Sequence, residues 1–218
     1  MERVSVRLSF GKIQLEGDLS IPPCPKGIVL FAHGSGSSRF SPRNQFVATF
    51  LNNHGIATLL IDLLTSEEEL IDEKTREFRF DIDLLAKRLV LITDWLLKDP
   101  RTQSLAIGYF GASTGAAAAL IAAAQRGQAV NAVVSRGGRA DLAQSFLPQV
   151  KSPTLLIVGE NDIEVIDLNE QAYALLTCPK KMEIIPRATH LFEESGCLEL
   201  VAQAATAWFL HHFPRGSL

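Results

Sequence analysis

The 218-residue chain is 47% hydrophobic and 21% charged, an ordinary balance for a globular protein with a sizeable core and not that of a disordered chain. A formal net charge of −3 and a pI near 6.0 supply no electrostatic reason to expect nucleic acid or an anionic membrane as partner. Cys24, Cys178 and Cys197 are scattered and form no C-x-x-C pair, which argues against a disulfide framework or a zinc knuckle. The N-terminal MERVSVRLSF lacks the basic stretch and apolar core of a secretory signal, and the run GAAAALIAAA is too short to span a bilayer. A soluble, cytoplasmic chain is expected.

Along the chain, Val4, Val6 and Leu8, then Ile13, Leu15, Leu19 and Ile21, keep a period of two around a turn containing Gly11. That is the pattern of an antiparallel hairpin, which Pro22, Pro23 and Pro25 end. Short apolar runs then alternate with segments of helical period. GIVLFA, GIATLLI, LAIGYF, AVVS, TLLIVG and MEII read as parallel strands, buried on both faces. Ser41 is placed to cap a helix with Pro42 in its first turn, Phe46, Val47, Phe50 and Leu51 on one face, and Gly55 beyond its end. The stripe Ile82, Leu85, Leu89, Ile92 and Leu96 predicts a second helix, closed by KDP. Further helices are expected after Ser113, from Asn169 to Leu176, and along Leu198, Val201, Ala202, Ala205, Trp208 and Phe209. The acidic stretch TSEEELIDEKTREF reads as a solvated loop or helix end. Strands alternating with helices behind an antiparallel hairpin imply a three-layer α/β sandwich. With no repeat and no linker, residues 1–218 are expected to form one domain.

In such a sheet the loops leaving the C-terminal ends of the parallel strands converge on one edge. Four loops there carry chemistry. GYFGASTG puts Ser113 on a sharp strand-to-helix turn, where side chains at Gly111 and Gly115 would collide with neighbouring elements. ENDIEV follows TLLIVG and supplies Asp162; THLF follows MEIIPRA and supplies His190. A serine hydroxyl needs a base to take its proton and an acid to orient that base, and the order Ser, Asp, His is that of α/β-hydrolases. Glu160 and Glu164 flank Asp162 and could replace it. HGSGSS follows GIVLFA, so the backbone N–H groups of Ser35 and Thr114 are the expected oxyanion donors.

With these parts in this order, the chain resembles an α/β-hydrolase of the dienelactone-hydrolase-like group over nearly its whole length. The resemblance implies a mostly parallel eight-stranded sheet whose second strand is antiparallel. Dienelactone hydrolases proper usually carry cysteine as nucleophile, and Ser113 stands there in this chain, so the family name is not read as the substrate. Only RGGRADLAQSFLPQVKSP separates AVVS from TLLIVG, room for one short helix and no cap domain. An open site of that kind suits small acyl groups better than long lipid chains.

The expected activity is therefore a cofactor-free serine hydrolase acting on a small-molecule ester, lactone or thioester, with no metal, nucleic acid or membrane partner. A peptidase or acyltransferase using the same triad, or a non-catalytic ligand-binding protein of the same fold, stands as the alternative. HGSGSS lacks the third glycine of a dinucleotide fingerprint. His33 reads as a structural residue below the oxyanion loop, and His54, His211 and His212 as residues at helix ends. Arg43, Arg136 and Arg139 lie on loops at the active edge. They make either surface ion pairs or a fork for a substrate carboxylate or phosphate; Arg136 is the favoured candidate, with Gly137 and Gly138 leaving room beside it and Arg43 approaching from the other loop.

Overall fold

The structure, a computed structural model, describes residues 1–214. The hairpin expected from the period-two pattern is formed by β1 (Glu2–Phe10) and β2 (Ile13–Ile21), paired in register from Glu2 opposite Ile21 to Phe10 opposite Ile13. Gly11 turns it at φ +64, a conformation that costs glycine little. The remaining strands are β3 (Ile28–Ala32), β4 (Ala57–Ile61), β5 (Ile107–Ala112), β6 (Ala132–Arg136), β7 (Thr154–Gly159) and β8 (Lys180–Ile185). They form one sheet of eight, ordered β1-β2-β4-β3-β5-β6-β7-β8. β2 runs antiparallel to both neighbours and β3 to β8 are mutually parallel. β3 to β7 are buried along their whole length, as continuous apolar runs require when helices cover both faces. β8 departs from that expectation: it is an edge strand, and Lys181 and Glu183 on it join in an ion pair.

Helices cover both faces. α1 (Pro42–Asn53) and α6 (Cys197–His212) pack on one face over Phe31, Phe110, Val134 and Ile157. On the other lie α3 (Ile82–Leu96), α4 (Thr114–Arg126) and α5 (Ile163–Leu175), with a run of 3-10 turns over Ala140–Gln149. Ser41 caps α1 through its side chain and Pro42 opens it, as its sequence predicts. Phe46 turns outward, however, and only Val47 and Leu51 of the expected face are fully buried. The acidic stretch is a helix of its own, α2 (Ser66–Thr75), started by a capping box in which Thr65 and Glu68 bond each other's backbone. Two reciprocal hydrogen bonds to otherwise orphaned N–H groups suffice to nucleate so polar a segment. α5 begins at Ile163, several residues before Asn169, because Asp162 ends the β7 exit turn and stands at the helix start.

Candidate active site

The register of the parallel strands brings the loops of interest level. Ala32 lies opposite Gly111, Ala112 opposite Arg136, and Gly159 opposite Ile185. Ser113 follows directly on β5 with φ 50 and ψ −122, a region that a non-glycine residue occupies only when its surroundings impose it. They do: Ser113 N–H donates to Arg136 O, while Ser113 O accepts from the N–H groups of Ala116 and Arg139. The two glycines give the clearance their motif predicts. A Cβ on Gly111 would sit 2.8 Å from Ala116 N in α4, and one on Gly115 would sit 2.5 Å from His33 O beyond β3. Ser113 itself is partly exposed.

Asp162 and His190 meet. His190 Nδ1 lies 2.7 Å from Asp162 Oδ2. Since the carboxylate only accepts, Nδ1 carries the proton and Nε2 is left as the basic nitrogen. The flanking acids do other things: Glu160 accepts from Arg187 N–H at 2.7 Å, and Glu164 lies exposed in the first turn of α5. The His190 loop is anchored on both sides. Thr189 donates through its N–H and its hydroxyl to Glu194, and Asn161 N–H reaches Ala188 O. Gly159 is needed where this loop crosses β7, because a Cβ there would come within 2.7 Å of Thr189 O. A Cβ on Gly137 would lie 3.6 Å from His190 Cε1, so the imidazole stands beside the segment to which Ser113 is bonded. Ser113 Oγ makes no hydrogen bond with His190 among the described residues; the imidazole's one protein bond is to Asp162.

The loop expected to hold the oxyanion crosses Ser113 closely: a Cβ on Gly34 would lie 3.1 Å from Ser113 Cβ. Of the two expected donors, Thr114 N–H has no acceptor among the described residues, whereas Ser35 N–H donates to Thr114 Oγ1 at 2.9 Å. In this geometry the Thr114 hydroxyl occupies the second donor. His33 is structural, as expected. Its Nε2 accepts from Leu63 N–H at 3.0 Å, so Nδ1 is the protonated nitrogen and donates to Gly34 O. Burial holds its pKa below the ordinary histidine value.

The three arginines part company. Arg139 forms a two-point ion pair with Asp141. Arg43, second residue of α1, pairs with Glu193 at 3.0 Å. Arg136 is only 7% exposed, pairs with no carboxylate among the described residues, and leaves its Nε buried without a partner. Its guanidinium faces the Phe192 ring at 5.7 Å. Burial, with the charge of Arg43 adding to it, pulls its pKa down to about 10, so it remains a cation at neutral pH. The expected room beside it is half right. Gly137, at φ +51, borders His190 and Phe192, but Gly138 faces the opposite side of the sheet, where a Cβ would strike Ser135 Oγ and come 2.6 Å from Ala116 Cβ. Phe192 and Glu193 were not singled out in the sequence. Their spacing just after His190 was the available signal.

Comparison with known proteins fits this arrangement. No family model matches the chain. A dienelactone hydrolase from Anabaena variabilis ATCC 29413 is 60% identical, with a TM-score of 0.96 over 98% of this chain and 99% of its own. The chain belongs to the α/β-hydrolase superfamily. Est1E from Butyrivibrio proteoclasticus, at 17% identity, shares the fold with a TM-score of 0.81 over 95% of this chain and 98% of its own. Proteins of two Mycobacterium tuberculosis strains, named as candidate phosphoribosyl transferases, are 54% identical over 207 residues. That match takes in 95% of this α/β-hydrolase but 46% of the curated relatives, so the chain spans about half their length. Among the described residues no helix is long and apolar enough to cross a membrane, and no group of three or more His, Cys, Asp or Glu side chains is placed to hold a metal ion.

Proposed function

We propose that this α/β-hydrolase is a serine hydrolase that cleaves a small carboxylic ester, lactone or thioester through an acyl-enzyme on Ser113. The observation that carries the reading is the 2.7 Å bond from His190 Nδ1 to Asp162, beside a serine held at φ 50 on a strand-to-helix elbow. A strained, partly exposed serine is costly to keep, and a histidine whose second nitrogen is free and basic is what such a serine lacks. The 60% identical relative is a dienelactone hydrolase, which supports hydrolysis of a cyclic or open ester. The Ser113 to His190 hydrogen bond is expected to form in the substrate complex, since catalytic hydrogen bonds often tighten only there.

In the first half-reaction His190 Nε2 takes the hydroxyl proton as Ser113 Oγ bonds to the carbonyl carbon. The electron pair moves onto the carbonyl oxygen, which Thr114 N–H stabilises at the start of α4. Ser35 N–H becomes the second donor once the Thr114 hydroxyl turns away from it. The tetrahedral intermediate collapses, the bond to the leaving alcohol or thiol breaks, and His190 returns the proton to that group. Water then repeats the sequence on the acyl-enzyme, and Asp162 steadies the imidazolium each time. Phosphoribosyl transfer, the activity in the name of the longer mycobacterial proteins, is assigned to none of these residues.

A panel of short p-nitrophenyl esters, lactones and acyl-thioesters tests the reading against Ser113→Ala. Turnover is expected to fall on the order of 10⁴- to 10⁶-fold with the fold intact, and a fluorophosphonate probe is expected to label Ser113. Turnover of the variant near that of the wild type, or labelling at another residue, removes Ser113 from the mechanism.

A further inference from the structure

Arg136 is the one arginine of the active edge that no carboxylate answers among the described residues. It is more than nine-tenths buried, it makes no side-chain hydrogen bond there, and the group in electrostatic reach of it is a second cation, Arg43. An unpaired buried charge beside a like charge is unfavourable on both counts, and proteins retain one where something else supplies the opposite charge. Phe192 holds one face of the guanidinium without neutralising it. Arg43 is kept near by Glu193, on the same loop as His190, yet its own Nε is also buried without a partner. Glu193 answers one of the two positive charges and leaves a net positive site. The position is equally specific. Arg136 ends β6, its carbonyl holds Ser113 N–H, and the next residue borders His190.

We propose that Arg136 and Arg43 form an anion-binding subsite beside the catalytic residues, which holds a carboxylate or phosphate carried by the substrate. This rests on the hydrolase reading for its role in turnover, but the binding site stands on its own geometry. Oxygen anions of both kinds fit a planar guanidinium fork. The group lies on the α1 and α6 side of the sheet, where Phe192 and the first turn of α1 bound the site. Esters that carry it are drawn in with the scissile carbonyl near Ser113, so charge selects the substrate.

The test separates binding from turnover. Isothermal titration of inorganic phosphate and of succinate into the Ser113→Ala protein is expected to show binding of at least one of them. The tighter of the two identifies the substrate's anionic group. Adding Arg136→Met is expected to weaken that binding about ten- to a hundredfold, the factor one charge-assisted hydrogen bond commonly carries, and Arg43→Met is expected to weaken it less. With Ser113 present, the ratio of kcat/KM for an anionic ester to that for its neutral methyl-capped analogue is expected to fall by the same factor in Arg136→Met. Circular dichroism checks the fold of each variant. Should Arg136→Met not fold, Arg136→Lys, which keeps the charge and loses the fork, and Arg43→Met decide the matter. Absence of binding by both anions, or affinity unchanged by these variants, overturns the proposal. Anion binding that depends on Arg136 in a protein without esterase activity upholds the subsite and refutes the hydrolase reading.

Discussion

Replacing Gly115 by alanine sets two effects of known size against each other. Gly115 is the second residue of α4, and alanine is favoured over glycine in a helix by up to about 1 kcal/mol. Helix propensity alone therefore makes Gly115→Ala stabilising. The added Cβ, however, would lie 2.5 Å from His33 O and 2.7 Å from Ala32 C, with Ala32 O nearer still. Ordinary carbon-to-oxygen contact starts at about 3.3 Å, so clearing Ala32 O requires α4 and the β3 exit to separate by about 1 Å. All the atoms met are main chain, so no rotamer change relieves the clash. Overpacking of this kind costs about 1–3 kcal/mol, occasionally more. Taking the upper end, because the backbone itself must move, the net loss is about 2 kcal/mol, or roughly 4–8 °C in Tm for a chain of this size. The displaced segment carries the Gly34–Ser35 backbone over Ser113, and a misplacement near 1 Å costs on the order of 10²-fold in rate. Thermal unfolding followed by circular dichroism, with kcat/KM on a short ester, measures both. Gly127→Ala is the control: Gly127 has φ +52 and nothing within 4 Å of a Cβ, so it is expected to lose about 1–2 kcal/mol from backbone strain with kcat/KM unchanged. A Gly115→Ala protein as stable and as active as wild type would show that the elbow gives way easily and needs no glycine for clearance.

Two other expectations concern protons. Asp162→Asn keeps the shape but lets the amide N–H₂ face His190 Nδ1, which favours the tautomer with Nε2 protonated; kcat/KM is expected to drop about 10⁴-fold, and a loss below tenfold would hand the orienting role to another group. His33, whose pKa burial depresses, binds a proton more readily in the unfolded chain. Its contribution to stability is therefore present above the ordinary value near 6.5 and is lost as pH falls below it, by up to about 1.4 kcal/mol per pH unit from this group. Urea unfolding between pH 7.5 and 5 is expected to show a steeper acid-side fall for wild type than for His33→Asn, and parallel curves would contradict it.

Much of this was legible because the decisive signals are local. The period-two hairpin, the doubly apolar strands and the helix after Ser113 each follow from side chains a few residues apart. The meeting of Asp162 with His190, 28 residues apart, is legible for another reason: β7 and β8 are adjacent and both residues leave the same edge. What escaped falls into two kinds. α2 was missed although Thr65 and Glu68 carry its capping box in plain view, because three successive glutamates suggested solvent more strongly than they suggested a helix start. The bond from Ser35 N–H to Thr114 Oγ1 joins residues 79 apart, and no local pattern predicts which hydroxyl a loop will rest on. The isolation of Arg136 is of this second kind: its strand is predictable, whereas its lack of a carboxylate among the described residues depends on what α1 and the His190 loop bring beside it.

The alanines behind Ser113 divide the molecule into parts with different tolerance of change. Ala116 to Ala119, with Ala122 and Ala123, are wholly buried between the sheet and α3. A helix lined with methyl groups approaches its neighbours so closely that even one added methylene has nowhere to go. Any enlargement there would push on the helix that begins at Ser113, so a new substrate preference cannot be acquired by widening the site from behind. The Ser35–Ser38 and Leu191–Glu193 segments reach solvent at Gly36, Leu191 and Glu193, while Arg39, ion-paired with Glu16, Asp18 and Asp62, and the buried Phe192 ring hold them in place. Variation in substrate among proteins of this architecture is therefore expected to accumulate in those two segments while the alanine helix stays small, and a library confined to them is the economical way to redirect the enzyme.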